Sequence, residues 1–547
     1  MTTNESDQGR RSFSSRTPVN ENPDKVGYRR GFVTRHQVTG WRFVIRRIAS
    51  GIALHDTRMF VDPLRAQSRA VLMGALLAIT GLLGCFVLSS MRPNGSVGNN
   101  VVLADQSSAA LYVRVGDKLH PVLNLTSARL IIGKPVNPIT VKSIELNRFP
   151  RGNLIGIPGA PERMVQNNAH DANWTVCDVV SREGGRVAHS TGVTVIVGPP
   201  ESNGTRAAVL GPAHGILVDA PAERGGSTWL LWDGKRSEID LADHAVTDAL
   251  GFGAGVSKAH TPRAIAVGLF NAIPEAPPLT APTIPNAGAT PSFGVHVPIG
   301  AVVMSFGLAA LDKNLSDSVR YYAVLPDGLQ RISPVLAGIL RNTNSYGLQQ
   351  PPQLGADEVN KLPVSQMLDT ERYPGQQISL VDADRDPVSC IYWRKSTGAA
   401  TSFLSLMSGS ALPVPDTVHA VELVSASVQG DGLTASRVAL APGTGYFAQT
   451  VGGGELAPAT GSLFWISDTG VRYGIDTEAD IGPGVAGGHD KIVGALGLQP
   501  PAVPVPWSIL SLFAAGPTLS RADALLAHDG LASDARPIRT TTADGEP

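Results

Sequence analysis

The sequence lacks the short motifs that mark common catalytic sites. A phosphate-binding P-loop needs a glycine, four further residues and then Gly-Lys followed by Ser or Thr, because its backbone amides must wrap the phosphates. Both Gly-Lys pairs, at residues 133–134 and 234–235, lack the first glycine and the hydroxyl residue. No G-x-S-x-G elbow supports a serine hydrolase, and the histidines show no H-x-x-x-H metal spacing. The sequence thus predicts no catalytic residue, no metal ligand and no resident cofactor, and it favours a scaffold over an enzyme.

Net charge is also nearly absent, at −1, but its distribution is uneven. Residues 1–92 hold 14 Lys and Arg against 6 Asp and Glu, so the rest of the chain is mildly acidic. A basic head and an acidic body suggest two environments. A basic head can attract nucleic acid, but here it adjoins an apolar span. Membrane topology therefore accounts for the charge, and we expect no nucleic-acid partner.

One segment can cross a lipid bilayer. Residues 70–91 (AVLMGALLAITGLLGCFVLSSM) carry no charge over 22 positions, enough to span a ~30 Å hydrocarbon layer. The segment starts too late and runs too long for a cleaved signal peptide, and a buried soluble helix is the other interpretation. Nine arginines lie between Tyr28 and Arg69, whereas no basic residue follows Arg92 before Arg114. The positive-inside bias therefore predicts a single-pass protein with a cytoplasmic N terminus and an extracytoplasmic body.

Cysteine is scarce too, with 3 residues in the chain, so at most one internal disulfide can form. Cys85 falls inside the predicted membrane helix. Cys177 and Cys390 fall in the exported body, where oxidising conditions favour a bridge between them. Such a bridge closes a loop of 213 positions and would stabilise the fold by roughly 5 kcal/mol. Two free buried thiols are the alternative.

A second helix is predicted ahead of the membrane span, in RGFVTRHQVTGWRFVIRRIASGIALHD. Its apolar residues recur at helical spacing and share one stripe with arginines on its flank. No neighbouring segment is large enough to complete a soluble core, so we expect the stripe to lie on an anionic membrane face or on a partner protein. Asp62-Pro63 then predicts the start of the next helix. The stripe consists of Val38, Trp41, Ile45, Ile48 and Ile52, and the flanking arginines are Arg35, Arg42 and Arg46.

Beyond Arg92 one local pattern occurs four times. Two apolar runs flank a glycine-containing turn, which predicts a β-hairpin, and a short apolar helix follows each hairpin. The turn glycines are separated by 118, 94 and 142 residues, too far and too unevenly for a solenoid, so we expect four small α+β modules. The hairpins are LYVRVGDKLHPVLNL, TWLLWDGKRSEIDL, YYAVLPDGLQRISPV and LFWISDTGVRYGID, with turn glycines Gly116, Gly234, Gly328 and Gly470.

The two exported cysteines lie between these hairpins, among strand-like runs. We therefore expect an α+β, β-dominated fold: an amphipathic helix, one transmembrane helix, and an elongated body of four repeat modules around a disulfide-stapled central β domain. The predicted segments are a disordered tail (1–27), the amphipathic helical segment (28–69), the transmembrane helix (70–91), four modules (92–165, 221–290, 291–375 and 456–528), a central domain in two parts (166–220 and 376–455) and a disordered C-terminal tail (529–547).

Long phrases of the sequence match one known family. They run from RRGFVTRHQVTGWRFVIRRIASGIALHDTRMFVDPLRAQSRAVLMG through SAALYVRVGDKLHPVLNLTSARLIIGKPVNP and both cysteine segments to GVRYGID. On these phrases the chain resembles the EccB family, membrane components of mycobacterial type VII (ESX) secretion systems, over nearly its whole length from Tyr28. NSYGLQQPP and LFNAIPEAPPLTAP look most like members of the third ESX system, which is linked to iron and zinc acquisition.

The resemblance implies an inner-membrane location with the EccC, EccD and EccE subunits, EccC being the motor ATPase, and with the mycosin protease and other EccB copies. It also implies a periplasmic body of four modules around a central domain with one disulfide. Family members are often labelled ATPases, which would make ATP a ligand, but the missing P-loop argues against it. The expected function is a structural subunit that organises the export channel. The alternative is an extracytoplasmic nucleotide hydrolase, or a cell-wall-binding protein, with the same anchor.

Overall fold

A computed structural model gives the fold of the chain. It describes residues 34–55, 63–91, 97–181, 189–221, 226–253, 261–306, 319–424, 433–452, 461–477, 488–528 and 530. The predicted N-terminal tail, all of the predicted C-terminal tail except residue 530, and Asp62 lie outside these residues. The chain divides into two compact units, residues 1–93 and 94–547.

Two helices form the described part of the first unit, α1 (Arg35–Leu54) and α2 (Pro63–Met91). A capping box starts α1. The Thr34 side chain accepts a hydrogen bond from the backbone amide of Gln37, and the Gln37 side chain accepts one from the backbone amide of Thr34. α2 begins at Pro63, as the sequence predicts. Within the described residues, its stretch Gln67–Leu88 is the one helix long and apolar enough to cross a membrane.

The second unit is rich in β-structure. Its strands are β1 (Val102–Asp105), β2 (Leu111–Val115), β3 (Lys118–Pro121), β4 (Ile139–Val141), β5 (Leu154–Ile155), β6 (Ala172–Ser181), β7 (His189–Val197), β8 (Ala208–Val209), β9 (His214–Asp219), β10 (Thr228–Trp232), β11 (Lys235–Glu238), β12 (Arg263–Ala264), β13 (Glu275–Ala276), β14 (Val302–Phe306), β15 (Val319–Leu325), β16 (Gly328–Ile332), β17 (Ser379–Leu380), β18 (Val388–Lys395), β19 (Phe403–Gly409), β20 (Val421–Glu422), β21 (Arg437–Ala439), β22 (Tyr446–Val451), β23 (Leu463–Ile466), β24 (Val471–Ile475), β25 (Val503–Pro506), β26 (Ala514–Ala515) and β27 (Ala527–His528).

Short helices connect these strands. They are α3 (Leu125–Ile132), α4 (Ser143–Leu146), α5 (His244–Leu250), α6 (Val267–Ala272), α7 (Pro334–Thr343), α8 (Ala356–Val359), α9 (Gly488–Leu496), α10 (Trp507–Leu510) and α11 (Arg521–Ala524), with a 3-10 turn at Thr370–Arg372.

Four sheets share one topology, and we call them the first (β1–β4, α3, α4), second (β9–β13, α5, α6), third (β14–β16, α7, α8) and fourth (β22–β26, α9, α10) modules. Each runs through a strand, a hairpin and a helix, then returns beside its first strand in parallel. A short helix follows, and the chain then lies parallel to the second hairpin strand. The second and fourth modules complete this pattern, with strand orders β12-β9-β10-β11-β13 and β25-β22-β23-β24-β26.

In the first and third modules, the final segment pairs with the second hairpin strand through one isolated β-bridge instead of a strand. These bridges are Leu119 with Arg151 and Leu329 with Val364. The four predicted hairpins and the helix after each are confirmed. Strands β9 and β22 pair with the second and fourth hairpins, although they precede residues 221 and 456, the predicted starts of those modules.

A central sheet of order β20-β21-β7-β6-β18-β19-β8 holds both exported cysteines. β6 and β18 are antiparallel and place Cys177 directly opposite Cys390. One face carries the buried Trp174 and Trp393, which share a core with the second and fourth modules. Helices then pair the modules: α5 packs on α7, joining the second to the third, and α3 packs on α9, joining the first to the fourth. The fold is α+β and β-dominated, as predicted.

Candidate assembly surfaces

The apolar stripe of α1 is the first candidate surface. Trp41 is 67% exposed, Ile48 56% and Ile52 74%, and the helix buries none of its side chains within the described residues. Arg42 and Arg46 are exposed beside the stripe. A contiguous apolar face of this kind marks a contact with lipid or protein. The structure thus places the predicted stripe residues together on one helix.

The disulfide is structural. Cys177 and Cys390 form an S–S bond with their Cα atoms 4.1 Å apart, so two free thiols are excluded. Both residues are buried, on a face of the central sheet shared with Ile196 and Met407. The bond joins strands that lie 213 positions apart in the chain and therefore ties together the two halves of the central sheet.

Asp178, next to Cys177, links the central sheet to the second module. It is 1% exposed, and its Oδ1 accepts the Ser190 hydroxyl at 2.6 Å. Its Oδ2 accepts the backbone amide of Ala266, which precedes α6, at 2.7 Å. Burial raises the pKa of Asp178 above its ordinary value of 3.8, against the lowering effect of these hydrogen bonds. Both oxygens are engaged by the chain, so the group positions α6.

Arg263 completes this link from the second module. Its guanidinium donates to the Ser389 hydroxyl at 3.0 Å and to the backbone carbonyls of Asp386, at 3.0 Å, and Val381, at 2.9 Å. Burial lowers the pKa of Arg263 to about 10, and the nearby carboxylates of Asp382, Asp386 and Asp178 oppose that shift. Sequence reasoning missed both residues, because nothing local distinguishes a structural buried charge from a surface one.

The predicted turn glycines are turn residues with no chemistry of their own. Gly116, Gly234 and Gly470 have φ values of 61°, 72° and 80°, which side chains rarely adopt. Gly328 has a φ of 159°, and a Cβ there would stand 2.3 Å from the Pro363 carbonyl oxygen. The glycines therefore allow the hairpin turns and, at Gly328, close approach of a neighbouring segment.

A cavity of about 590 Å³ opens between α6 and α10. Asn271, Arg472, Trp507 and Ala515 are among the residues that line it, and Trp507 is 52% exposed. The Arg472 guanidinium lies 5.2 Å from the centre of the Trp507 ring, and its Nε donates to the Phe513 carbonyl at 3.2 Å. Among the described residues, no group of His, Cys, Asp and Glu side chains could hold a metal ion. No local sequence pattern marks this cavity, because its lining residues come from segments that are distant in the chain.

Comparison with known proteins gives the family. Residues 30–533 match the family described as type VII secretion system ESX-1, transport TM domain B. The chain is 70% identical over 539 residues to the ESX-3 secretion system ATPase EccB3 of Mycobacterium tuberculosis (strain ATCC 25618 / H37Rv), with 98% of each chain covered.

Solved structures agree. The chain matches one from the EccB3 dimer of the ESX-3 core complex with a TM-score of 0.66 and 56% identity, covering 78% of this chain and 100% of that one. It matches a chain of an intact ESX-5 inner membrane complex with a TM-score of 0.68 and 34% identity, covering 94% of this chain and 100% of that one. With its candidate membrane helix, its disulfide and its β-rich body, this chain belongs to the EccB family of type VII secretion inner-membrane complexes.

Proposed function

We propose that this chain is a structural subunit whose large C-terminal body, on the periplasmic side, organises the export channel of an ESX complex. The exposed apolar stripe of α1 carries the proposal, because five large apolar side chains in water would favour aggregation unless another surface covers them. The position of α1 just ahead of the candidate membrane helix suits an assembly contact at the membrane.

The N terminus lies in the cytoplasm in this proposal. Nine arginines precede the span from Tyr28 onward, and no basic residue stands between Arg92 and Arg114. Such an asymmetry within short flanking segments sets the orientation of a single span. The second unit, with its disulfide, then lies in the oxidising compartment where such bonds persist.

The partner of α1 is another subunit of the complex in this proposal, with EccC and EccD as the candidates that reach the cytoplasmic side. Arg42 and Arg46 flank the stripe and can pair with acidic residues of such a partner. EccE, the mycosin protease and further copies of this chain are the other proposed partners. The dimer formed by a relative in the ESX-3 core complex supports self-association.

Two aspartates on the stripe test the proposal. Burying one large apolar side chain contributes roughly 1.5–3 kcal/mol, so Trp41→Asp with Ile48→Asp should release the subunit from its complex. The measurement is the native-gel size of the complex solubilised from membranes, together with secretion by the cells. The band of the full-size complex and secretion should both be lost, while the disulfide-linked body remains folded.

A matched control uses the opposite side of α1. At 100° per residue, His36 and Ser50 lie away from the stripe, so His36→Asp with Ser50→Asp adds the same two carboxylates without touching it. This control should leave a complex of normal size. If the stripe variant also gives a full-size complex and normal secretion, α1 is not an assembly element.

Nucleotide hydrolysis appears in the names of the relatives. The sequence offers no P-loop lysine to bind phosphates. We therefore propose a structural role rather than nucleotide hydrolysis. ATP turnover by the purified full-length chain, abolished by a point substitution in its body, would overturn that choice.

A further inference from the structure

The second and fourth modules carry an arginine at the same place. Arg236 and Arg472 each stand two residues after the turn glycine, on the second strand of their hairpin. In each module a short parallel strand follows the second helix and pairs with this position. The residue directly opposite is Glu275 in the second module and Ala515 in the fourth.

The second module neutralises its arginine internally. Arg236 is 5% exposed, and its Nη2 pairs with the Glu275 carboxylate at 3.1 Å. Its Nη1 donates to the Phe270 carbonyl, and the guanidinium lies 3.9 Å from the centre of the Phe270 ring. The site is thus complete: a cation on an aromatic face, with a carboxylate supplied by the next strand.

The fourth module keeps the cation and the aromatic face but lacks the carboxylate. Arg472 lies over the Trp507 ring, and its Nε is bonded to the Phe513 carbonyl. Its two terminal nitrogens have no hydrogen-bond or ion-pair partner among the residues that the structure describes. Burial lowers the pKa of Arg472, with no carboxylate opposing that shift. A partly buried cation without a counter-charge is costly, and an anion would relieve that cost.

The 590 Å³ cavity lies at this position. Ala515, which replaces the glutamate of the second module, is part of its wall together with Arg472 and Trp507. Ligand sites of proteins have volumes of about 300–1,000 Å³, so the cavity has room for a bound group. A second cavity of about 410 Å³ shares Asn271, Trp507 and Ser508 with the first, so the concave surface continues past the indole.

We propose that this cavity binds a carboxylate that takes the place of Glu275, and that an acidic side chain of another polypeptide in the complex supplies it. Exposed Trp and Arg are the residue types that most often anchor protein interfaces. The neighbouring cavity gives room for residues that flank the acidic one. This inference rests on the proposed assembly function and names one contact through which that function is carried out.

A defined peptide tests the site on the full-length chain in detergent. With 5-fluorotryptophan incorporated, the fluorine signal of Trp507 is identified as the one missing from Trp507→Phe. The probes are acetyl-Ala-Glu-Leu-amide, the matched acetyl-Ala-Gln-Leu-amide, and glutarate as a free carboxylate. We expect a saturable shift of the Trp507 signal with the glutamate peptide, and binding of the glutamine peptide about tenfold weaker or more.

Two variants then separate the site from general effects. Ala515→Glu copies the second module and should abolish the shift by neutralising Arg472 internally, and Arg472→Gln should abolish it by removing the cation. Glu275→Gln, in the other module, should leave the Trp507 response unchanged. Unchanged signals from the remaining tryptophans report that each variant is folded, and Arg472→Gln keeps the test valid if Ala515→Glu does not fold.

Three outcomes overturn the proposal: equal binding of the glutamate and glutamine peptides, no binding of either, or a shift that persists in Ala515→Glu. Glutarate that binds as tightly as the glutamate peptide assigns the site to a free carboxylate and rejects the polypeptide ligand. The α1 variants do not alter this cavity. Loss of the complex in the α1 stripe variant without peptide binding here therefore removes this inference and leaves the proposed function standing.

Discussion

At the scale of single residues, the bond between Cys177 and Cys390 is the long-range covalent tie of the body. Cys177→Ser should lower the free energy of unfolding by about 2–5 kcal/mol, because the unfolded chain regains the freedom of a 213-position loop. Denaturant unfolding of the solubilised chain measures the loss. Cys85→Ser, in the membrane helix, is the control and should not change it.

Burial of Asp178 predicts the sign of a pH dependence of stability. Its pKa is raised in the folded state, so folding favours the protonated form. The stability that it contributes is therefore fully present below pH 3.8, the ordinary pKa of the unfolded chain. It is lost as the pH rises through the higher pKa of the folded state. In Asp178→Asn this group no longer titrates. The unfolding free energy of the native chain minus that of the variant should fall between pH 4 and neutrality, and a difference that rises with pH would contradict the assignment.

At the scale of elements, two equivalent helices offer a matched pair of glycines. Gly338 in α7 faces α5, and a Cβ there would stand 2.9 Å from the Ala249 Cβ. Gly494 in α9 occupies the same place in the repeat, yet a Cβ there meets no atom of the described residues within 4 Å. Gly338→Ala should therefore destabilise the joint between the second and third modules by about 1–3 kcal/mol through overpacking, less any gain in helix propensity.

Gly494→Ala is the internal control for that prediction. It makes the same chemical change in an open position, and it should be neutral or stabilise by up to about 1 kcal/mol through helix propensity alone. Denaturation midpoints of the two variants, measured side by side, compare them directly. Equal effects at the two positions would mean that α5 and α7 do not pack as closely as described.

At the scale of the whole molecule, the arginine asymmetry predicts which side of the membrane each unit occupies. A reporter enzyme that is active only in the periplasm should be active when fused after Asp476 and silent when fused near Asn20. The fusion points lie in different units, so the comparison tests orientation without depending on details of either fold. The reverse pattern of activity would reverse the proposed topology.

The sequence by itself determined the features that depend on neighbouring residues. Helical periodicity predicted α1, and a long uncharged stretch with Pro63 at its first position predicted α2. Alternation around Gly116, Gly234, Gly328 and Gly470 gave the four hairpins. Only two cysteines lie outside the membrane segment, so the sequence offered one possible pair there, and the structure showed that the two are bonded rather than free.

Only the tertiary structure decided what depends on contacts between distant segments. The two-residue strands β13 and β26 carry no periodicity of their own, and docking against a hairpin creates them. The packing of α5 on α7 and the hydrogen bond from the Ala266 amide to Asp178 likewise join segments that are distant in the chain. Only the fold shows that Ala515 lies opposite Arg472 where Glu275 lies opposite Arg236, so that no carboxylate of the described residues pairs with Arg472. Local sequence sets which elements form, whereas the burial of their apolar faces against one another sets which elements meet.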